Sequence, residues 1–220
     1  MEHVGSLARR GLAGSVYTQT TDVEAEINGL ITYDRKVVKF DPAALAAVHD
    51  RVRAKAAMGL VPTVTKEVFP KRDPDPRAWA YTFDAPAADW SSPAFDDAAW
   101  KRSAGGFGGG GIEKDHEAAK VATPWTTKTL WVRRHFTWDG SAKVVEAVLD
   151  LFHDEDVEVY LNGERIFDAR GYTTDYVPYE VPAEVFGKAV RKGDNVLAVK
   201  VVQTVGGQFF DLGLSVETAK

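Results

Sequence analysis

A β-hairpin is written into residues 156–168, and it limits what the rest of the chain can fold into. In "DVEVYLNGERIFD", Val157, Val159 and Leu161 alternate with Glu158, Tyr160 and Asn162, the two-residue period of a strand that buries one face. Asn162-Gly163 then supplies the dipeptide that tolerates positive φ at both central positions of a type I′ turn. From Glu164 to Phe167 the extended pattern resumes. Just upstream, Val148–Phe152 reads as another apolar strand, and His153-Asp154-Glu155-Asp156 is the polar connection between the two. That acidic connection is either a site or only a loop.

Most of the chain around the hairpin reads as its packing partners. All six tryptophans lie between Trp79 and Trp138, and short alternating segments are separated by Gly, Pro, Asp and Asn, which is the pattern of a β-sandwich or jelly roll over residues 79–220. Trp79–Phe83 is expected as the first strand. Trp90, Phe95 and Trp100 are apolar anchors in a segment too polar to be a strand; such rings pin a loop to the domain, and each is also a candidate sugar-stacking platform. In Thr129–Trp138, Leu130, Val132, Arg134 and Phe136 point one way and Trp131, Arg133, His135 and Thr137 the other, so both faces are expected to be partly covered. Arg133 and Arg134 are expected to bridge to the acidic connection 153–156, with a carboxylated sugar as the alternative. Residues 170–182 read as an aromatic and polar loop. Asn195–Thr204 reads as an alternating strand opened by Gly193-Asp194, and Gly206–Thr218 closes the fold.

The first third of the chain has a different character. Met1–Arg10 is expected as a short helix ended by Gly11, and Gly14–Gln19 as a brief buried strand. Asp41 as N-cap and Pro42 at the first helical position open a second helix running to Gly59, with Leu45, Val48, His49, Val52 and Ala56 on one face. One such α/β repeat cannot cover both faces of its strand. It must lean on the β domain or belong to a parallel α/β barrel, where the segment after a strand faces the active site. The segment between the strand and the helix carries Gln19, Thr21, Asp22, Glu24, Glu26, Asn28, Tyr33, Asp34 and Arg35, all groups that bond to hydroxyls. Residues 59–78 hold four of the ten prolines and read as a semi-extended linker.

Several functions are excluded by composition and spacing. The 27 Lys and Arg against 32 Asp and Glu give a net charge of −5 with no basic stripe, which argues against a nucleic-acid partner. No apolar run approaches the roughly 18–20 residues of a membrane span. The chain has no cysteine, so disulfides and thiolate metal sites are absent. Residues 153–156 lack the spacing of a calcium loop, and His3, His49, His116, His135 and His153 show no ligand pairing, so no metal and no cofactor are expected. The glycine run Gly105–Gly111 lacks the Gly-Lys-Ser/Thr ending and following helix of a phosphate loop.

Two resemblances join these pieces. "GSVYTQTTDVEAEINGLITYDRKVVKFD" resembles the last strand, following loop and final helix of the catalytic barrel in glycoside hydrolase family 2, the β-galactosidase-like enzymes. The order "LWVRRHF", "HDEDVEVYLNGE", "KGDNVLAVKV" and "GGQFFDLGL" resembles the galactose-binding-like jelly roll of those enzymes. The fold class implied is mainly β: a jelly-roll β-sandwich over 79–220, preceded by a partial (β/α) barrel unit over 1–58. The resemblance implies carbohydrate as the ligand class, a missing upstream barrel domain as partner, and Gln19, Asp22, Glu24 and Asn28 at the sugar-binding mouth. The two catalytic carboxylates of the family sit on earlier barrel strands, so no catalytic residue is assigned here. Asp22, Glu24 and Glu26 share a side if extended, but neighbours on one loop are poorly placed to straddle a glycosidic bond. The alternatives are a stand-alone carbohydrate-binding module and a purely structural interaction domain.

Overall fold

The computed structural model describes residues 2–9, 11–57, 59–60, 62–109, 112 and 119–220, and the chain divides into two compact units, Met1–Pro62 and Thr63–Lys220. Gly110 and Gly111 of the glycine run, and residues 113–118 with His116, lie outside the described residues, as do Met1 and Arg10 at the ends of the expected first helix.

In the first unit, α1 spans Glu2–Arg9 and α2 spans Pro42–Ala57. The α2 start is as the sequence implies: the Asp41 carboxylate accepts a hydrogen bond from the Ala43 N–H at 2.9 Å, and Pro42 occupies the position where a missing N–H costs nothing. Leu45, Val48, His49 and Val52, on the expected face, are half-buried, as is Lys55, whereas Ala56 is exposed and no residue of α2 is fully buried. The strand expected at Gly14–Gln19 does not form. Ser15, Val16 and Tyr17 are irregular and exposed, Val16 by 92%. A strand exists through the partners of its ladder, and pairing in this unit begins only at Thr21, bridged to Ile31.

The second unit is a β-sandwich. Its elements are β1 (Thr63–Phe69), β2 (Trp79–Thr82), β3 (Lys101–Ser103), β4 (Phe107–Gly108), β5 (Thr123–Pro124), β6 (Thr129–Trp138), β7 (Val144–Asp154), β8 (Asp156–Leu161), β9 (Glu164–Ala169), β10 (Val177–Pro182), α3 (Ala183–Ala189), β11 (Gly193–Val202) and β12 (Phe209–Ala219). One sheet runs β10-β7-β12-β4-β5, with β1 also paired to β12; the other runs β3-β2-β6-β11-β8-β9. Leu149, Leu151, Leu212 and Leu214 from the first sheet meet Val132, Val159, Leu161, Leu197 and Val199 from the second in one closed core. Ridges of side chains from two inner faces filling one layer are what a sandwich requires.

Two segments differ from the sequence reading. The expected linker 59–78 contains β1, whose Phe69 is buried and whose Thr63–Phe69 pairs with the C-terminal half of β12. Its prolines bound the strand at Pro62 and Pro70 and do not interrupt it. The expected loop 170–182 contains β10, paired antiparallel to β7. Pro178 and Pro182 are tolerated because β10 is an edge strand with one side free of ladder bonds.

The hairpin forms as expected. Asn162 has φ +52° and Gly163 φ +91°, the paired positive values of a type I′ turn. The Asn162 side chain is also buried and fully used: its amide donates to Ala189 O (2.8 Å) and Asn195 Oδ1 (2.7 Å), and its oxygen accepts from Val196 N (2.9 Å). Asn195 in turn donates to Arg191 O and Gly193 O. This network joins the hairpin turn, the end of α3 and the start of β11 without leaving a buried amide unpaired.

Candidate functional site

The segment 18–39 folds back on itself around one carboxylate. Asp22 points inward, and its Oδ1 accepts hydrogen bonds from Gly29 N at 2.9 Å and Lys39 Nζ at 2.5 Å. Lys39 also donates to Ile27 O at 2.8 Å, so one ammonium closes the loop from both sides. The Lys39 hydrogen bond, against a smaller opposing effect of burial, holds the Asp22 carboxyl below the usual range. Val23 and Glu26 exchange backbone hydrogen bonds, which turns the chain sharply at Glu24, where φ is +52°. Asp22, Glu24 and Glu26 therefore do not line one extended side.

Of the four residues expected at a sugar-binding mouth, two meet. The Gln19 amide donates to Asn28 Oδ1 at 3.0 Å and to Glu26 at 3.1 Å, and Tyr17 donates to Asn28 O at 3.2 Å. Glu24 stands exposed at the turn tip, and Asp22 lies beneath, taken up by Lys39. The surface so formed is a patch of amides and carboxylates that both donates and accepts, the chemistry of hydroxyl recognition. Lys39 was not singled out in the sequence; nothing in "KVVKF" distinguishes it from Lys36, whose ammonium instead lies beside Asp34.

In the sandwich the two arginines do not reach 153–156. Arg133 Nε bonds Asp97 Oδ2 at 2.8 Å and its guanidinium also donates to the carbonyls of Trp90, Ser92 and Phe95. Arg134 faces the core, stacked 4.2 Å over the Phe69 ring, and its Nη2 bonds Asp73 at 2.5 Å. The expectation of a bridge to the acidic connection is thus corrected. Strand alternation put the arginines on opposite faces, and each found the carboxylate of a different covering loop.

The acidic connection itself is tighter than four residues of loop. His153 and Asp154 end β7, Asp156 opens β8, and Glu155 alone crosses between the sheets. His153 is buried, with Nδ1 2.5 Å from Glu155 O and Nε2 3.3 Å from the Tyr179 hydroxyl. Burial pulls its imidazole below the ordinary value near 6.5, only partly opposed by the Glu155 carbonyl. A lowered histidine pKa means the unfolded chain binds the proton first, so this contribution is complete above about 6.5 and is lost as the pH falls through the folded value. Melting curves taken from neutral to mildly acidic pH should show that loss in the wild type and a flatter profile in His153→Gln. Among the described residues no cluster of His, Asp and Glu is arranged to hold a metal ion.

No family model matches the chain, and no curated protein matches its sequence. Among solved structures, a β-glucuronidase from Bacteroides uniformis is similar, with a TM-score of 0.50 and 18% identity over 70% of this chain and 18% of that one. A glycosyl hydrolase family 2 member from Bacteroides cellulosilyticus matches with a TM-score of 0.46 and 17% identity, over 68% of this chain and 20% of its own. A β-glucuronidase from an uncultured Clostridium species gives 0.44 and 17%, over 72% and 29%. The chain spans less than a third of each of these proteins, and the likeness to the first establishes a shared fold.

Proposed function

We propose that this chain is the C-terminal part of a family 2 glycosidase of the β-galactosidase-like type, supplying a loop at the rim of the sugar pocket and an accessory β-sandwich, and that it is catalytically incomplete by itself. What supports the reading is a sandwich that shares its fold with part of a β-glucuronidase, in a chain whose segment 14–41 resembles in sequence the end of a family 2 barrel. Gln19, Glu24 and Asn28 are the residues proposed to face the sugar, and Asp22, expected at the same mouth, is proposed to act from beneath by holding the loop through Lys39 and Gly29.

The first unit supports this assignment. It leaves Val16, Ile27 and Tyr33 bare, at 92%, 79% and 73% exposure. The occupant proposed to cover these apolar side chains is the remainder of an α/β barrel. A retaining glycosidase needs two carboxyl groups about 5–5.5 Å apart across the scissile bond, and the turn at Glu24 denies that geometry to Asp22, Glu24 and Glu26. Incubating the purified chain with aryl β-galactoside and aryl β-glucuronide should release no aryl alcohol above the buffer rate. Turnover that disappears in Asp22→Ala or Glu24→Ala would locate the chemistry in this loop and overturn the reading.

A further inference from the structure

Among the described residues of the sandwich, the two most exposed large apolar side chains are Val205 at 74% and Tyr172 at 67%. Both stand on loops held from beneath by the same crossover. Asp156 accepts from Gly171 N at 2.9 Å and from Arg170 at 2.8 Å, and His153 O accepts from Thr173 N at 2.9 Å. Next to Asp156, the Glu155 carboxylate accepts from Thr204 N at 2.7 Å and Val205 N at 3.1 Å. At its far end the first loop is tied by Tyr176, whose hydroxyl donates to Asp211 at 2.6 Å and whose ring packs edge-on against Phe152. Tyr172 is therefore an exposed ring on a loop fastened on both sides, with Thr174 and Asp175 exposed beside it.

The size of this patch decides what it fits. One tyrosine and one valine offer on the order of 100–200 Å² of apolar surface, far below the roughly 800 Å² that each partner gives to a stable protein interface. A single exposed ring with an exposed hydroxyl and carboxylate two and three residues further on, the carboxylate keeping one oxygen beyond the one that accepts from Tyr176 N, instead matches a pyranose, which has one apolar face and a rim of hydroxyls. Because the loops are already ordered, little conformational freedom is lost when a ligand docks.

We propose that the sandwich end formed by residues 170–175 and 203–206 is a carbohydrate-binding site in which the Tyr172 ring packs on the apolar face of a pyranose and Thr174 and Asp175 meet its hydroxyls. The choice of ligand rests on the glycosidase reading above; the site lies on the sandwich and involves no catalytic group. The test is saturation-transfer NMR on the full chain with lactose, cellobiose, methyl β-galactoside and methyl β-glucuronide at millimolar concentration. The expected result is transfer to ring protons of at least one of these sugars, retained in Tyr172→Phe and reduced about tenfold in Tyr172→Ala, with the melting temperature of Tyr172→Ala unchanged. Absence of transfer from every sugar, or equal transfer in Tyr172→Ala, overturns the site. Neither result bears on hydrolysis, so the assay with aryl glycosides fails or succeeds separately.

Discussion

Asp97→Ala is expected to destabilise the sandwich by about 3–5 kcal/mol, the cost of leaving a buried charge without its partner. Asp97 is 5% exposed and binds Arg133, itself 0% exposed, together with His135 Nε2 at 2.8 Å and Arg102 Nη2 at 2.6 Å. Around Arg133 the sheet is cut away: Ala80 of β2 and Ala198 of β11 are its two register neighbours, and both are fully buried. These small residues let the guanidinium lie on the outer face of the sheet under residues 90–97, three of whose carbonyls take further protons from it. Removing Asp97 thus loosens one end of this covering segment as well as breaking the ion pairs with Arg133 and Arg102.

The measurement is the midpoint of chemical unfolding at constant m-value. By contrast, Lys66→Ala, which breaks the half-exposed pair with Asp139, should cost no more than about 1 kcal/mol. Burial alone would push the Asp97 carboxyl up, but the Arg133 and His135 hydrogen bonds and the charges of His135 and Arg102 bring it below its ordinary value. A lowered carboxyl pKa means that its contribution is complete above about 3.8 and is lost as the pH falls through the folded value. Acid sensitivity near neutrality therefore belongs to His153, and Asp97 contributes only in stronger acid.

What could be read in advance was what local chemistry writes into consecutive residues. The Asn162-Gly163 turn, the Asp41-Pro42 helix start and the alternation of β6 each follow from backbone preferences of the residues concerned. Pairing over long distance was less legible. Thr63–Phe69 carries a strand because β12, more than 140 residues later, presents its C-terminal half as a free edge. Conversely "GSVYTQ" has the composition of a strand but no ladder partner among the described residues of its unit, and it is irregular. The same holds for the charges. The alternation of β6 puts Arg133 and Arg134 on opposite, partly covered faces, but the identity of their partners, Asp97 and Asp73, depended on which loops return over which face. At 153–156 the acidic run has the composition of a site; it is a pedestal, and the exposed ring beside it, Tyr172, lies in a segment that the sequence marks only as aromatic and polar.

Asp211→Ala is the second substitution with a large expected effect, about 3 kcal/mol or more. Asp211 lies on the outer face of β12, 1% exposed, where three donors converge: Gly106 N at 3.0 Å, Arg72 N at 2.6 Å and the Tyr176 hydroxyl at 2.6 Å. A buried donor left without an acceptor costs about 1–3 kcal/mol; the Gly106 bond is buried and the other two are part-buried, and the three come from the approach to β4, the β1–β2 connection and the loop that carries Tyr172. The neighbouring Gly213 permits this closeness, because a Cβ there would lie 2.6 Å from Lys71 N. Asp211→Asn should cost less than alanine, since its oxygen still serves two donors while its amide opposes the third. Tyr176→Phe, which removes a single donor, should cost about 1 kcal/mol. Burial raises the Asp211 carboxyl above its ordinary value despite these hydrogen bonds. Its contribution is then complete below about 3.8 and is lost as the pH rises through the folded value, so the deficit of Asp211→Asn relative to wild type should be larger in acid than at neutral pH. A deficit that instead grows with rising pH would mean that the donors outweigh burial and that Asp211 is held as the charged acceptor.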